Sequence, residues 1–196
     1  MKTIVITSDK GGVGKSTIAA LIIEWLNFNG IKVNLIDADP IQSTRTWVNN
    51  CKSDGRAVVC SDAHYLIIDT AGTSGAGLSW IQKCDIIIAP FQSHYADVKT
   101  ILDWFYSINI KLQQKVMFVP NRYQKTNEHK EGVAHVQKAV QSENAGILLS
   151  HLSNRPAIYG TILNGSSFNF FTQYKTHNVI NEVKNLMDSI ITLSKG

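Results

Sequence analysis

The sequence has little from which to build a membrane or disulfide-stapled protein. No apolar run approaches the roughly 18 residues that a membrane-spanning helix needs. The amino-terminus passes straight into the strand-like KTIVITS, with no secretory leader pattern. Cysteine is scarce: Cys51, Cys60 and Cys84 are odd in number and form no C-x-x-C pair. That argues against a disulfide framework or a zinc site and points to a reduced, cytoplasmic setting. His64, His94, His129, His135, His151 and His177 show no metal-ligand spacing and read as surface or cap residues. Trp25, Trp47, Trp80 and Trp104 read as packing residues. Repeats, low-complexity tracts and linkers are absent, so the 196 residues are expected to form one domain, 1–196.

What is present is alternation. Short β-branched runs at 3–7, 33–37, 57–60, 65–69, 85–89, 116–120 and 147–150 read as strands, several of them apolar throughout, as for strands covered on both faces. Amphipathic stretches at 16–29, 43–52, 94–108, 127–143, 155–163 and 177–193 read as helices. In the first, Ile18, Leu21, Ile22, Trp25 and Leu26 line one face, and Gly30 is the expected stop. The implied fold class is α/β, a mainly parallel twisted sheet with helices on both faces, whose ligands sit at the strands' carboxyl ends. Net charge is +4, unevenly placed: residues 1–110 hold nine Lys and Arg against ten Asp and Glu, residues 111–196 ten against five. A basic half suits a polyanion such as nucleic acid, and equally an ordinary solvated surface.

SDKGGVGKST (8–17) follows a strand and opens a helix, the context of a phosphate-binding loop. The backbone of Gly11, Gly12, Val13 and Gly14 can turn N–H groups toward phosphate oxygens, and the helix N-terminus at Ser16 adds its dipole. Lys15 is placed for the β- and γ-phosphates, the Ser16 hydroxyl for Mg²⁺, and Thr17 for a phosphate oxygen. LIDADP (35–40) brings Asp37 and Asp39 onto one face of a strand end, one able to hold Mg²⁺ through water and the other to orient an attacking water. YLIIDTAG (65–72) is a hydrophobic strand ending in Asp69, a Walker B arrangement acting on the metal through water or Ser16. The stretch 69–77 is rich in Gly, Ser and Thr, as a rearranging switch would be. FVPNRYQ (118–124) ends a strand in Asn121 and Arg122; the Asn amide can read a base edge or serve as a turn residue.

KGGVGKST departs from the ordinary G-x-x-x-x-G-K-[ST] pattern. Asp9 stands where glycine is wanted, and Lys10 precedes the glycine pair. The box resembles the deviant Walker A motif of the ParA/MinD family of dimeric ATPases, and the resemblance covers most of the chain. It implies ATP and Mg²⁺ as cofactors and a homodimer formed with ATP. Lys10 would reach the partner's nucleotide and stabilise charge during hydrolysis; the alternative is that it only adds charge in its own subunit. The resemblance also puts Asp37 near the metal, Asp39 at the nucleophilic water in a first switch, and 69–77 in a second switch, where Ala71 replaces the proline many relatives carry. It sets Asn121 and Arg122 against the adenine, and NRPAIYGTILNGSS (154–167) at the base pocket or the dimer face. Arg155, Lys175 and Lys184, in the basic half, are candidate contacts to DNA phosphates.

The expected function is a ParA-type ATPase that binds non-specific DNA as an ATP dimer. A ParB-like or other adaptor would stimulate hydrolysis, so that plasmid or chromosomal DNA is segregated or positioned, in the cytoplasm on the nucleoid. The same engine could place a protein cargo (a carboxysome, a chemoreceptor array, conjugation machinery). A MinD-like membrane ATPase is a further alternative. The closing NEVKNLMDSIITLSKG carries an apolar stripe of Val183, Leu186, Met187, Ile190 and Ile191 but few cations opposite, which favours core packing over membrane binding; no stable membrane insertion is expected. An iron–sulfur reductase would need a partner cysteine for Cys84, and none fits. A binding module without catalysis gains no support, because Lys10, Lys15, Ser16, Asp37, Asp39 and Asp69 are all present.

Overall fold

Each strand divides its side chains between two apolar cores, which is why the strands read as apolar throughout. Ile4 and Ile6 enter one core and Val5 the other; Ile86 and Ile88 are likewise split from Ile87 and Ala89. The computed structural model describes residues 1–72, 75, 77–171 and 178–195. Within these, β1 (Lys2–Ile6), β2 (Val33–Ala38), β3 (Tyr65–Thr70), β4 (Ile86–Phe91), β5 (Val116–Pro120) and β6 (Ile147–Leu148) form one parallel sheet in the order β2-β3-β1-β4-β5-β6. The connecting helices are α1 (Lys15–Phe28), α2 (Ser43–Ser53), α3 (Leu78–Ile81), α4 (Tyr95–Ser107), α5 (Ile110–Gln113) and α6 (Asn127–Glu143). After β6 come α7 (Pro156–Tyr159), a 3-10 turn (Gly160–Asn164), α8 (Phe168–Phe171) and α9 (Val179–Lys195).

The expected α/β architecture is the one observed, with local differences, among them the unexpected short helices α3, α5 and α8. Residues 57–60 are not a strand. They run outside edge strand β2 with one backbone bond to it, Cys60 N–H to Val33 O at 2.9 Å, while Asn27 takes the Val58 carbonyl at 2.8 Å. Val58 is apolar because it is buried in the core that α1 shares, not because it pairs. The helix expected at 155–163 splits at Gly160 into α7 and the 3-10 turn. His129 is buried, not a surface residue, and its Nδ1 accepts the Gln124 N–H at 3.1 Å. Trp25, Trp47 and Trp104 are packing residues as expected.

Helix α1 is apolar on more than one side because it is covered on more than one side. The sheet lies beneath it, and α2, the 3-10 turn, α8 and α9 lie around it. Gly30 ends the segment at φ 71° and donates to Asn27 O at 2.9 Å. The α9 residues Val183, Leu186, Met187 and Ile190 are all fully buried in the α1 core, as the core-packing reading required. No helix among the described residues is long and apolar enough to cross a membrane.

One polar staple ties this layer together. Glu24, buried on α1, accepts from Arg56 Nη1 at 2.6 Å and from the Phe168 N–H at 3.0 Å, and Arg56 also donates to the Gly165 carbonyl. Removing the carboxylate strands a guanidinium that is largely buried. Glu24→Ala is therefore expected to cost about 2–3 kcal/mol, read as a lowered urea midpoint, with Arg56→Ala on that background adding far less than it does alone.

Candidate functional site

The sheet's register assembles the site. Asp69 lies level with Ile6 of β1 on one side and Asp37 of β2 on the other, at the carboxyl ends. The chain runs from β1 to the edge at β2, returns to β3 beside β1, then crosses to β4, β5 and β6 on the other side. The crevice where that order reverses is where open α/β sheets take their ligands.

The loop from 9 to 14 fills this crevice. Gly12 and Gly14 have φ of 75° and 97°. Gly14 carries a second constraint, since a Cβ there would lie 2.1 Å from Asn121 Nδ2. Asn121 is buried, receives its position from an N–H bond to Phe91 O at 2.8 Å, and donates its amide to Val13 O at 2.8 Å. The loop is thus braced by the strand two places away. Helix α1 then begins with no acidic residue in its first turn, leaving its N–H groups and dipole available to an anion.

The loop walls a cavity of about 450 Å³, in the size range of small-molecule sites, with Lys15, Ser16, Thr17, Asp39, Ile41, Ala71, Gly72 and Arg122 among its lining. Lys15 is 6% exposed and donates to Lys10 O at 3.0 Å. Burial lowers its pKa, and the charges of Asp69, Asp39 and Asp9 oppose that. Gly72 presses on the loop: a Cβ there would stand 2.7 Å from both Gly11 Cα and Lys15 Nζ. A narrower cavity of about 80 Å³ adjoins it behind Gly14 and Thr17, walled by Asn121, Arg122, Ser153, Arg155, Pro156, Tyr159 and Gly160. Arg122 lines both cavities, at φ 53° and exposed.

The carboxylates are unequal. Both oxygens of Asp69 are buried without a hydrogen-bond partner. Desolvation pushes its pKa up to about 7, offset in part by Lys15 and by the Ser16 hydroxyl, which lies near without completing a hydrogen bond, and reinforced by the charges of Asp37 and Asp39. Asp37 accepts from the Asp39 N–H at 3.1 Å and the Arg45 N–H at 2.8 Å, so it holds the entry of α2. Strand β2 stops at Ala38, and Asp39 stands beyond it in the cavity wall, one oxygen accepting from Ile41 N–H at 2.9 Å. Among the described residues no cluster of three His, Cys, Asp or Glu forms a metal cage. Asp69, Asp37 and Ser16 are a sparse donor set that fits a hard divalent ion completed by water and phosphate, as Mg²⁺ prefers, and Asp69's orphaned oxygens are the groups such an ion would satisfy.

Lys10, the second lysine of the loop, pairs within its own chain with Asp97, a buried carboxylate in the first turn of α4. Arg155 pairs with Glu182 of α9 at 3.0 Å, and Lys184 is exposed on the same helix. Lys175 lies outside the described residues, as do Thr73, Ser74 and Ala76 of the second switch-like stretch. Sequence reasoning missed Asp97, the bracing task of Asn121, the close approach of Gly72 and the role of Glu182. Only Gly72 left a signal, as one glycine in a run of small residues.

Residues 4–168 match the family described as the CobQ/CobB/MinD/ParA nucleotide binding domain. Protein ParA of Rhizobium radiobacter is 41% identical over 114 residues, 50% of this chain and 51% of that protein; the chain thus spans about half the length of this curated relative. A plasmid partition protein of Borrelia burgdorferi B31, solved with AMPPNP, superposes with a TM-score of 0.71 at 20% identity, covering 97% of this chain and 98% of that one. MinD of Pyrococcus horikoshii, solved with Mg-ADP, gives a TM-score of 0.69 at 16% identity, covering 96% and 95%. At those identities the two structures establish the fold alone.

Asp69 also yields a test of the ligand-free fold. A raised carboxyl pKa means that stability is lost as pH rises from about 4 to about 7 and then levels off. Asp69→Asn removes that charge. Without ligands it should melt higher than the parent at pH 8, by a net gain of about 2 kcal/mol, and lose the advantage near pH 4. An equal difference at both pH values would overturn the assignment of an unpartnered charge.

Proposed function

The chain belongs to the CobQ/CobB/MinD/ParA family of nucleotide-binding domains, and we propose that it is a ParA-type ATPase, acting as one unit over residues 1–196, that segregates or positions plasmid or chromosomal DNA. The observation that carries this reading is the loop with two lysines in different states. Lys15 is buried and turned into the cavity; Lys10 is 44% exposed beside it.

In this reading the backbone of residues 11–14 and the α1 N-terminus cradle the phosphates of ATP, Lys15 neutralises them, and Thr17 takes a further oxygen. Mg²⁺ would be held by Ser16 and Asp69, with Asp37 behind, and would offset charge on the β- and γ-phosphates. Asp39 orients the attacking water. Asn121 and Arg122 shape the base side, Asn121 chiefly by fixing the loop. Lys10 leaves Asp97 to complete the site of a second copy across an ATP-dependent homodimer and there stabilises negative charge, as an arginine finger does. The dimer binds non-specific DNA through cations such as Lys184, with Arg155 and Lys175 as further candidates, and a ParB-like or other adaptor stimulates hydrolysis and release. The protein would then be cytoplasmic and nucleoid-associated. A protein cargo carried by the same engine is the main alternative; a MinD-like membrane role is disfavoured because the α9 stripe is spent on the core.

Binding to a random-sequence duplex, with Mg²⁺ and either ATP or ADP, tests the whole reading. Binding should require ATP, persist in Asp39→Ala, and fall by about a thousandfold between 50 and 200 mM salt. ATP-independent binding, or none while ATP still dimerises the protein, would remove DNA as the track. Lys15→Ala should abolish ATP binding. Lys10→Ala should keep ATP binding but lose turnover by about a hundredfold or more; normal turnover would sink the role across the dimer.

A further inference from the structure

Four hydrogen bonds converge on one carboxylate outside the phosphate loop. Glu182, in the first turn of α9, accepts from the Ser153 N–H at 3.2 Å, the Ser153 hydroxyl at 2.7 Å, Arg155 Nη2 at 3.0 Å and the Tyr159 hydroxyl at 2.9 Å. Ser153, Arg155 and Tyr159 are three walls of the narrow cavity behind Gly14 and Thr17. Helix α7, which carries Tyr159, is four residues long and has no side-chain cap. A single turn of this kind has no stability of its own. Ile158 and Tyr159 pack it into the α1 core, and the polar hold on Ser153, Arg155 and Tyr159 comes from Glu182, which grips all three. Burial, with the Glu182 charge beside it, pushes the Tyr159 phenol well above its ordinary pKa, so it stays a donor.

We propose that Glu182 is a positioning residue that couples the base seat of the nucleotide site to helix α9. The inference rests on the nucleotide reading above and adds to it a route by which the occupant of the site is felt at the far helix. A base entering between Gly14, Asn121 and Tyr159 packs against walls that α9 holds in place. By linkage, filling the seat fastens α9 in return. Helix α9 exposes Lys184 two residues beyond Glu182, so the surface offered to a polyanion becomes dependent on the base and not only on the phosphates. Arg155 is therefore assigned to the wall of the base seat, with its guanidinium directed to Glu182, and not primarily to DNA.

The test compares two ligands that share phosphates but not a base, Mg²⁺–ATP and Mg²⁺–tripolyphosphate. Glu182→Gln keeps the shape but weakens the hold on Arg155 and Tyr159; Tyr159→Phe removes one bond and leaves the fold intact. Both should weaken ATP binding, by about tenfold for Glu182→Gln, and leave tripolyphosphate binding unchanged. In the parent, ATP should slow amide exchange across 179–193, and tripolyphosphate should not. Equal losses for both ligands, or protection of α9 by tripolyphosphate alone, would overturn the coupling and leave Glu182 a structural residue. A parent that binds neither ligand would instead overturn the nucleotide reading itself, an outcome distinct from failure of the coupling.

Discussion

Asp69 stands near the carboxyl end of β3 with both carboxylate oxygens buried and unpartnered. A charge in that position is costly unless something neutralises it, and the cation that acts on it among the described residues is Lys15, whose own pKa burial lowers. The two groups constrain everything around them. The register of β1 and β2 on β3 fixes Asp69 beside Ile6 and Asp37. Gly72 has no side chain because Lys15 Nζ and the Gly11 backbone occupy the space. Gly14 has none because Asn121 reaches past it to hold Val13. The fold therefore carries, at a buried point near the end of β3, an electrostatic imbalance that a phosphate–metal pair is suited to correct. Stability given up in the empty protein reappears as affinity when the ligand binds.

That arrangement divides what the sequence could tell from what it could not. The loop, Asp69 and the alternation of strands and helices are local patterns, and they were legible because strand-end chemistry and apolar runs need no knowledge of distant residues. Residues 57–60 were misread as a strand for the same reason. A short apolar run records burial, not pairing, and Val58 is buried against α1. Helices α3, α5 and α8 are four residues each, too short to show a period. The contacts that set the site's walls are pairings across the chain: Lys10 with Asp97, Asn121 with Val13, Glu182 with Arg155 and Tyr159, Arg56 with Glu24. Each partner alone is an ordinary polar residue. Only the fold makes the pair.

The Asn121 case shows how a right position can carry a different task. An amide after β5 was expected against the base. One of its two amide N–H groups is spent on the loop carbonyl, and its backbone N–H on β4. It still walls the narrower cavity, so its influence on a base would be exerted largely through the loop it fixes. The same logic applies to Arg155, expected among the DNA contacts and found bound to Glu182. A cation in the basic half is not by that fact a surface contact: Arg155 is held by Glu182 in the wall of the site, while Lys111, Lys125, Lys130, Lys138 and Lys184 are exposed.

Lys10 poses the sharpest version of that rule. Its ammonium cannot at once pair with Asp97 and lie across a dimer on another copy's nucleotide, so the two states exclude each other. Leaving Asp97 strands a buried carboxylate, which would ordinarily cost several kcal/mol. Asp97, however, sits in the first turn of α4, where the helix dipole and unpaired N–H groups favour negative charge. The chain thus provides a second, weaker stabiliser for the same carboxylate. If Lys10 does serve a second copy, the helix terminus behind Asp97 lowers the cost of its leaving. A lysine with no partner in the single chain would be mobile in every state; a lysine held by a carboxylate with no helix terminus behind it would be trapped. Lys10 is held by a carboxylate that does have a helix terminus behind it, as a switch of that kind would need.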